Sequence, residues 1–123
     1  MSTAIFKTQP YAMSLHNFNE VSVLKIVLDY GTWVVFGRAV IGNYDGDPQN
    51  AHAKLRAFGA GDIIDYIDVR ISDDACAESV KLQGIFKAEK GQQVEMVCET
   101  YKGNVHDGSL IAIQVDSAHP SKD

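Results

Sequence analysis

Trp33-Val34-Val35-Phe36-Gly37-Arg38-Ala39-Val40-Ile41 is apolar on both parities of an extended chain. Successive side chains of a strand point to opposite faces, so Trp33, Val35, Ala39 and Ile41 form one row and Val34, Phe36 and Val40 the other. The first row suits the core between two sheets. The second has no place on the wet side of a two-layer sandwich and needs a further cover, which in a chain of 123 residues is expected to be another copy of the subunit. Segment 21–28 is also apolar on both parities, and 110–115 sets Ile111, Ile113 and Val115 against Leu110 and Ala112. Segment 94–100 differs: Val94, Met96 and Cys98 share one face and Glu95 and Glu99 the other, the pattern of a strand with one wet side.

The same alternation predicts strands near 4–7, 21–29, 33–42, 51–57, 63–72, 79–88, 92–101 and 109–116. Breaks fall at Tyr30-Gly31, Asn43 to Asn50, Phe58 to Asp62, Asp73 to Ala77, Lys90-Gly91 and Gly103 to Gly108. Glycine there supplies positive φ, and Asn and Asp bond their own backbone. Segment 49–58 has the weak β propensity of Ala51, Ala53, Leu55 and Ala57, but its alternation with His52, Lys54 and Arg56 favours strand over a short helix. About eight short strands at intervals of roughly ten residues predict an all-β, two-sheet antiparallel sandwich. With no repeat, low-complexity stretch or linker, residues 1–123 read as a single domain whose tail near 118–123 frays.

The net charge is −5, from 11 basic and 16 acidic residues, and no basic block occurs. A nucleic-acid partner is therefore not expected. No apolar run reaches the roughly 20 residues of a membrane helix, so membrane insertion is not expected either. The start, Met-Ser-Thr-Ala-Ile-Phe-Lys, lacks the basic-then-apolar layout of a secretory leader, and no pattern assigns a compartment. Cys76 and Cys98 have no metal-ligand spacing, and two free thiols are favoured over a disulfide, Cys98 in a strand and Cys76 near a loop.

The richest polar segment is Asn43-Tyr44-Asp45-Gly46-Asp47-Pro48-Gln49-Asn50. Oxygens of Asn43, Asp45 and Asp47 are candidate Ca²⁺ ligands, but Pro48 and Lys54 stand where an EF-hand needs its Gly and bidentate Glu. A solvated loop is the favoured reading, with no metal and no cofactor. His16, His52, His106 and His119 lack zinc-binding spacing. Ser72-Asp73-Asp74 puts acids beside Cys76, which disfavours its thiolate. Gly59-Ala60-Gly61-Asp62 is too short to cradle a phosphate. No catalytic set emerges, and an enzyme is not expected.

Gly84-Ile85-Phe86-Lys87-Ala88-Glu89-Lys90-Gly91-Gln92-Gln93-Val94 resembles the strand–turn–strand element of the tumour-necrosis-factor and C1q-like jelly rolls. Gly31-Thr32-Trp33-Val34-Val35-Phe36 resembles their Gly-x-Tyr-x-apolar strand start, with Trp33 in the Tyr place, and Leu110-Ile111-Ala112-Ile113 resembles their closing strand. Gln92 replaces the Asp of the family's turn, and no collagen-like stretch precedes the domain. The resemblance, over roughly 21–116, implies a jelly roll and a homotrimer whose axis is lined by Val34, Phe36 and Val40, joined by Leu110, Ala112 and Gln114. It does not imply receptor signalling; because the loops of a rigid sandwich commonly carry binding, the expected function is a non-enzymatic recognition module for a glycan or protein, with Tyr44, Tyr66 and Tyr101 as candidate aromatic contacts. The alternative is a structural subunit of a capsid, fibre or secretion particle.

Overall fold

Trp33, Val35, Ala39 and Ile41 are all buried, as the first row of the central segment requires. They belong to the longest run of two-sided apolar sequence, in a computed structural model that describes residues 3–57, 62–73 and 76–121. Among those residues there are nine strands and no helix. They are β1 (Ala4–Thr8), β2 (Met13–His16), β3 (Val21–Leu28), β4 (Gly31–Asn43), β5 (Gln49–Ala57), β6 (Ile63–Ile71), β7 (Ala77–Ala88), β8 (Gln92–Thr100) and β9 (Lys102–Val115).

One sheet runs β1-β9-β4-β7, with β2 beside the first part of β9; the other runs β3-β8-β5-β6. Every pairing is antiparallel. Neighbours in a sheet are mostly distant in sequence, because the chain crosses between sheets after β2, β3, β4, β6, β7 and β8. That order is a jelly roll, the fold implied by the resemblance to the tumour-necrosis-factor and C1q-like domains.

Alternate residues of the two sheets meet in one core. Trp33 and Val35 of β4 and Leu82 of β7 face Leu55 of β5 and Met96 and Cys98 of β8. Trp33 satisfies its indole by donating Nε1–H to the Asp29 carbonyl at 3.0 Å. Gly37 sits on the same inner row, where a Cβ would come within 3.0 Å of Leu55 Cδ2 and 3.1 Å of Met96 Sδ. The missing side chain lets the sheets close over β4. Between the edge strands β6 and β7, Asp65 Oδ2 accepts the Gln83 N–H at 2.8 Å.

Three expectations change. The segment before residue 21 contains β2, four residues with one core side chain, Leu15, too short to show a period. The break expected at Gly103 to Gly108 is strand, the first half of β9. Its glycine marks a close approach: a Cβ on Gly103 would lie 2.0 Å from the Gly42 carbonyl oxygen. The only irregularity of that pairing is a bulge between Arg38 and Val40, next to Asp107 at φ 52°. Finally, β8 has no continuous wet side: Glu95 is 2% exposed and Val97 is buried too. Segment 49–58 is strand, as its alternation predicts. Gly59, Ala60, Gly61 and Asp74 lie outside the described residues.

Candidate binding surfaces

The outer face of the β1-β9-β4-β7 sheet is built from cross-strand rows, since residues directly opposite each other share a face. Val34 is opposite Ile113 and Ile85, and Ile113 is opposite Ala4. Phe36 is opposite Ile111 and Gln83, and Ile111 is opposite Phe6. Two adjacent rows thus cross four strands, a width of about 14 Å, and are apolar throughout except for Gln83 at the β7 end of the second. The face is open: Phe6 is 70% exposed, Ile85 51% and Phe36 39%.

The next row is polar, with Arg38 opposite Ser109 and Lys81. Two cations directly opposed across a strand pair repel. No ion pair to either occurs among the described residues. A depression of about 300 Å³ lies where the two rows meet, lined by Phe36, Arg38, Lys81, Gln83, Ser109 and Ile111. Val40 stands one row further on, opposite Ser79 and His106.

Of the residues expected at a three-fold axis, Val34, Phe36 and Val40 therefore share the outer face. Leu110 and Ala112 do not: both are fully buried in the core of the chain itself. Gln114 shares their parity, pairs with Trp33, and donates Nε2–H to the Tyr30 carbonyl at 3.2 Å. The register of β9 against β4 is the cause, because it sets Ile111 and Ile113 beside Phe36 and Val34. Phe6 and Ile85 are additions that single-strand parity could not supply, since their membership depends on which strands are neighbours.

The loop after β4 is organised from inside. Asn43 is 1% exposed. Its Nδ2 donates to the carbonyls of Asp47 at 3.0 Å and Ser72 at 2.6 Å, and its Oδ1 accepts from the Asp45 N–H at 2.7 Å and from Gln49 Nε2. Gln49 Oε1 accepts from Thr100 Oγ1 at 2.7 Å and from the Lys102 N–H at 2.8 Å. The carboxamide offered as a cation ligand is thus committed to the loop's own backbone. Asp45 Oδ1 accepts the Gly46 N–H at 3.0 Å. Among the described residues no group of three or more His, Cys, Asp or Glu side chains is placed to hold a metal. Cys98 is buried, which pushes its thiol up to about 12, whereas Cys76 is exposed; both are free.

A second surface lies on the outer face of the β3-β8-β5-β6 sheet. His52 of β5 is opposite Asp68 of β6 and Glu99 of β8. Its ring stacks with Tyr66 at 6.1 Å between centroids, the Phe18 ring lies 6.0 Å from it, and the Tyr101 ring lies 6.3 Å from Phe18. Tyr66, Phe18 and Tyr101 are all exposed. The Tyr66 hydroxyl is 3.1 Å from His52 Nδ1, which also contacts Asp68. A hydrogen bond with Tyr66, then one with His52, holds the Asp68 carboxyl below its ordinary value, so it is a carboxylate at neutral pH. The same hydrogen bond to Asp68 raises the Tyr66 phenol, which stays protonated.

Phe18 reaches this row through two consecutive left-handed residues, Asn17 at φ 56° and Phe18 at φ 55°. Asn tolerates that region, but for Phe it is a strained conformation. It persists because the Asn17 N–H donates to the Tyr101 carbonyl at 2.7 Å and the Phe18 N–H to that of Thr100 at 3.0 Å. Of the three tyrosines singled out in the sequence, the fold brings Tyr66 and Tyr101 into one row and leaves Tyr44 on the loop after β4. Phe18 and His52 were not foreseen as their neighbours, since only the strand order joins them.

No family model matches the chain, and no curated protein does. Solved structures do. VP2 of infectious bursal disease virus, Gt strain, is similar at a TM-score of 0.61 and 9% identity, over 97% of this chain and 34% of that one. The Gx strain gives 0.58 and 9%, over 97% and 33%. The chain therefore spans about a third of the length of those VP2 chains. The globular domain of zebrafish complement 1qA protein is matched at a TM-score of 0.49 and 8% identity, over 94% and 98%. At these identities the likeness to VP2 is one of fold, and it agrees with the jelly-roll strand order.

Proposed function

We propose that the chain is a non-enzymatic, homotrimeric recognition module, closed through the outer face of its β1-β9-β4-β7 sheet and binding a glycan or a protein. The observation that carries this reading is the pair of apolar rows centred on Phe36–Ile111 and Val34–Ile113. Left in water, an apolar surface four strands wide in one row and three in the next is an aggregation liability. Three-fold closure covers it with identical surface and leaves no open end. Arg38 and Lys81 at the border of the rows, which have no ion pair among the described residues, gain from an acidic group on a neighbouring copy.

Light scattering of the purified chain tests the assembly. Three protomers per particle are expected, and a monodisperse monomer overturns the proposal. The second reading is a structural subunit of a capsid, fibre or secretion particle. It draws on the fold shared with VP2, which is described in derived T=1 particles. It predicts assemblies beyond a closed trimer, which the same measurement detects as larger mass.

A further inference from the structure

We infer that the aromatic row Tyr66–His52–Phe18–Tyr101, on the outer face of the β3-β8-β5-β6 sheet, is a platform for a neutral carbohydrate chain. This rests on the recognition reading above and names its ligand class and its place; it does not depend on three-fold closure.

The arrangement of the rings comes first. Each ring neighbours the next at 6.0 to 6.3 Å, and the ring contacts run in succession from Tyr66 through His52 and Phe18 to Tyr101 rather than meeting at one ring. Three exposed rings, with the half-buried His52 among them, offer apolar ring surface in succession, which suits an extended chain of rigid rings carrying C–H groups on one face and hydroxyls around the rim. A cage that encloses a single alkylammonium would instead need its rings to converge on one point.

The polar groups come second. Asp68 and Glu99 flank His52 on its two neighbouring strands. Ionised carboxylates accept hydrogen bonds only, and a sugar hydroxyl donates one. The Tyr66 and Tyr101 hydroxyls add groups that both donate and accept. The same acids argue against the other polymer that stacks on exposed rings: a nucleic-acid strand needs a basic groove for its phosphates. The nearest cations on β5 are already committed, Lys54 and Arg56 to Glu20 and Arg56 also to Glu95. A charged, acidic sugar is disfavoured for the same reason.

Pre-organisation comes third. The strained backbone at Phe18 is held by hydrogen bonds from its own N–H and that of Asn17 to the β8–β9 turn, which places the ring between His52 and Tyr101 without a ligand. Core packing does not require this placement, because Phe18 is 43% exposed.

The test is titration of the whole chain, followed by calorimetry and by NMR of its aromatic signals. The probes are neutral gluco-, manno-, galacto- and N-acetylglucosamine tetrasaccharides, a sialylated tetrasaccharide and choline. The expected result is saturable binding of at least one neutral tetrasaccharide at about 1 mM or below, with the signals of Tyr66, His52, Phe18 and Tyr101 shifting. Tyr66→Ala and Tyr101→Ala each weaken it about tenfold, and Tyr44→Ala, on a different loop, leaves it unchanged. Absence of binding by every neutral probe, unchanged binding by Tyr66→Ala, or binding of choline alone overturns the inference. Light scattering of the same sample separates the two proposals: a monomer that binds sugar overturns only the trimer, and a trimer that binds none overturns only the platform.

Discussion

Phe36 and Ile111 stand directly opposite each other on the outer face of the β4–β9 pair, while Leu110, one residue earlier in the same strand, is fully buried on the inner face. This parity separates assembly from folding. Phe36→Asp and Ile111→Asp place a charge on the outer rows and are expected to give a folded chain of lower scattering mass than the parent. Leu110→Asp buries an unpaired carboxylate between the sheets and is expected to abolish folding instead. Circular dichroism together with light scattering reads both effects. A folded Phe36→Asp chain at parental mass excludes this face as the interface.

Trp33 anchors the inner side of the same strand, 1% exposed with its indole N–H satisfied by Asp29. Trp33→Ala leaves a cavity between the sheets and should cost about 3–5 kcal/mol of stability in denaturant unfolding. Parental stability in that variant would contradict the burial of this row.

The extent to which the sequence is legible follows from what each feature depends on. The inner row of β4 and the alternation of β5 are local properties of one strand, and both read correctly because the side-chain period of a strand is 2. The apolar partners of Phe36 depend on the register between strands 60 or more residues apart, and the family resemblance, which carries no register, pointed to Leu110 and Ala112 in place of Ile111 and Ile113. Glu95 looked wet because its alternation with Met96 is regular, but Arg56 on the neighbouring strand donates Nε–H to it at 2.5 Å, and such a partner is invisible in a linear pattern. The aromatic row has the same character: Phe18, His52, Tyr66 and Tyr101 are far apart in the chain and meet only through the strand order.

Asn43 ties the loop after β4 to the carbonyls of Asp47 and Ser72. Asn43→Ala leaves buried groups without partners and should cost about 2 kcal/mol. Because Asn43 Oδ1 already accepts from Asp45 and Gln49, millimolar calcium should not raise the melting temperature of the parent chain. A saturable rise that chelator reverses would assign the loop a cation after all.

Glu20, Lys54, Arg56 and Glu95 form one ionic cluster across the inner strands β5 and β8 of the second sheet, and it makes the acid stability of the chain predictable. Glu20 pairs with both Lys54 and Arg56, and the hydrogen bond from Lys54, ahead of that from Arg56, holds its carboxyl below the ordinary value of 4.5. A carboxylate whose folded value is depressed contributes stability that is present above its unfolded value and is lost as pH falls through the folded one. Asp68 is depressed in the same direction and adds to the same window. Melting temperature should therefore fall as pH drops below about 4.5, and Glu20→Gln should make that fall shallower. Glu20 is partly exposed, so its effect at neutral pH is small and screened by salt. Glu95 is the opposite case: it is buried, and Arg56 is its cation. Arg56→Met strands that carboxylate and should cost about 3 kcal/mol at neutral pH, whereas the double variant Arg56→Met with Glu95→Leu should recover most of the loss. Denaturant unfolding of the two variants side by side decides the point. Equal stability of Arg56→Met and the parent would mean that Glu95 is solvated rather than held by its partner.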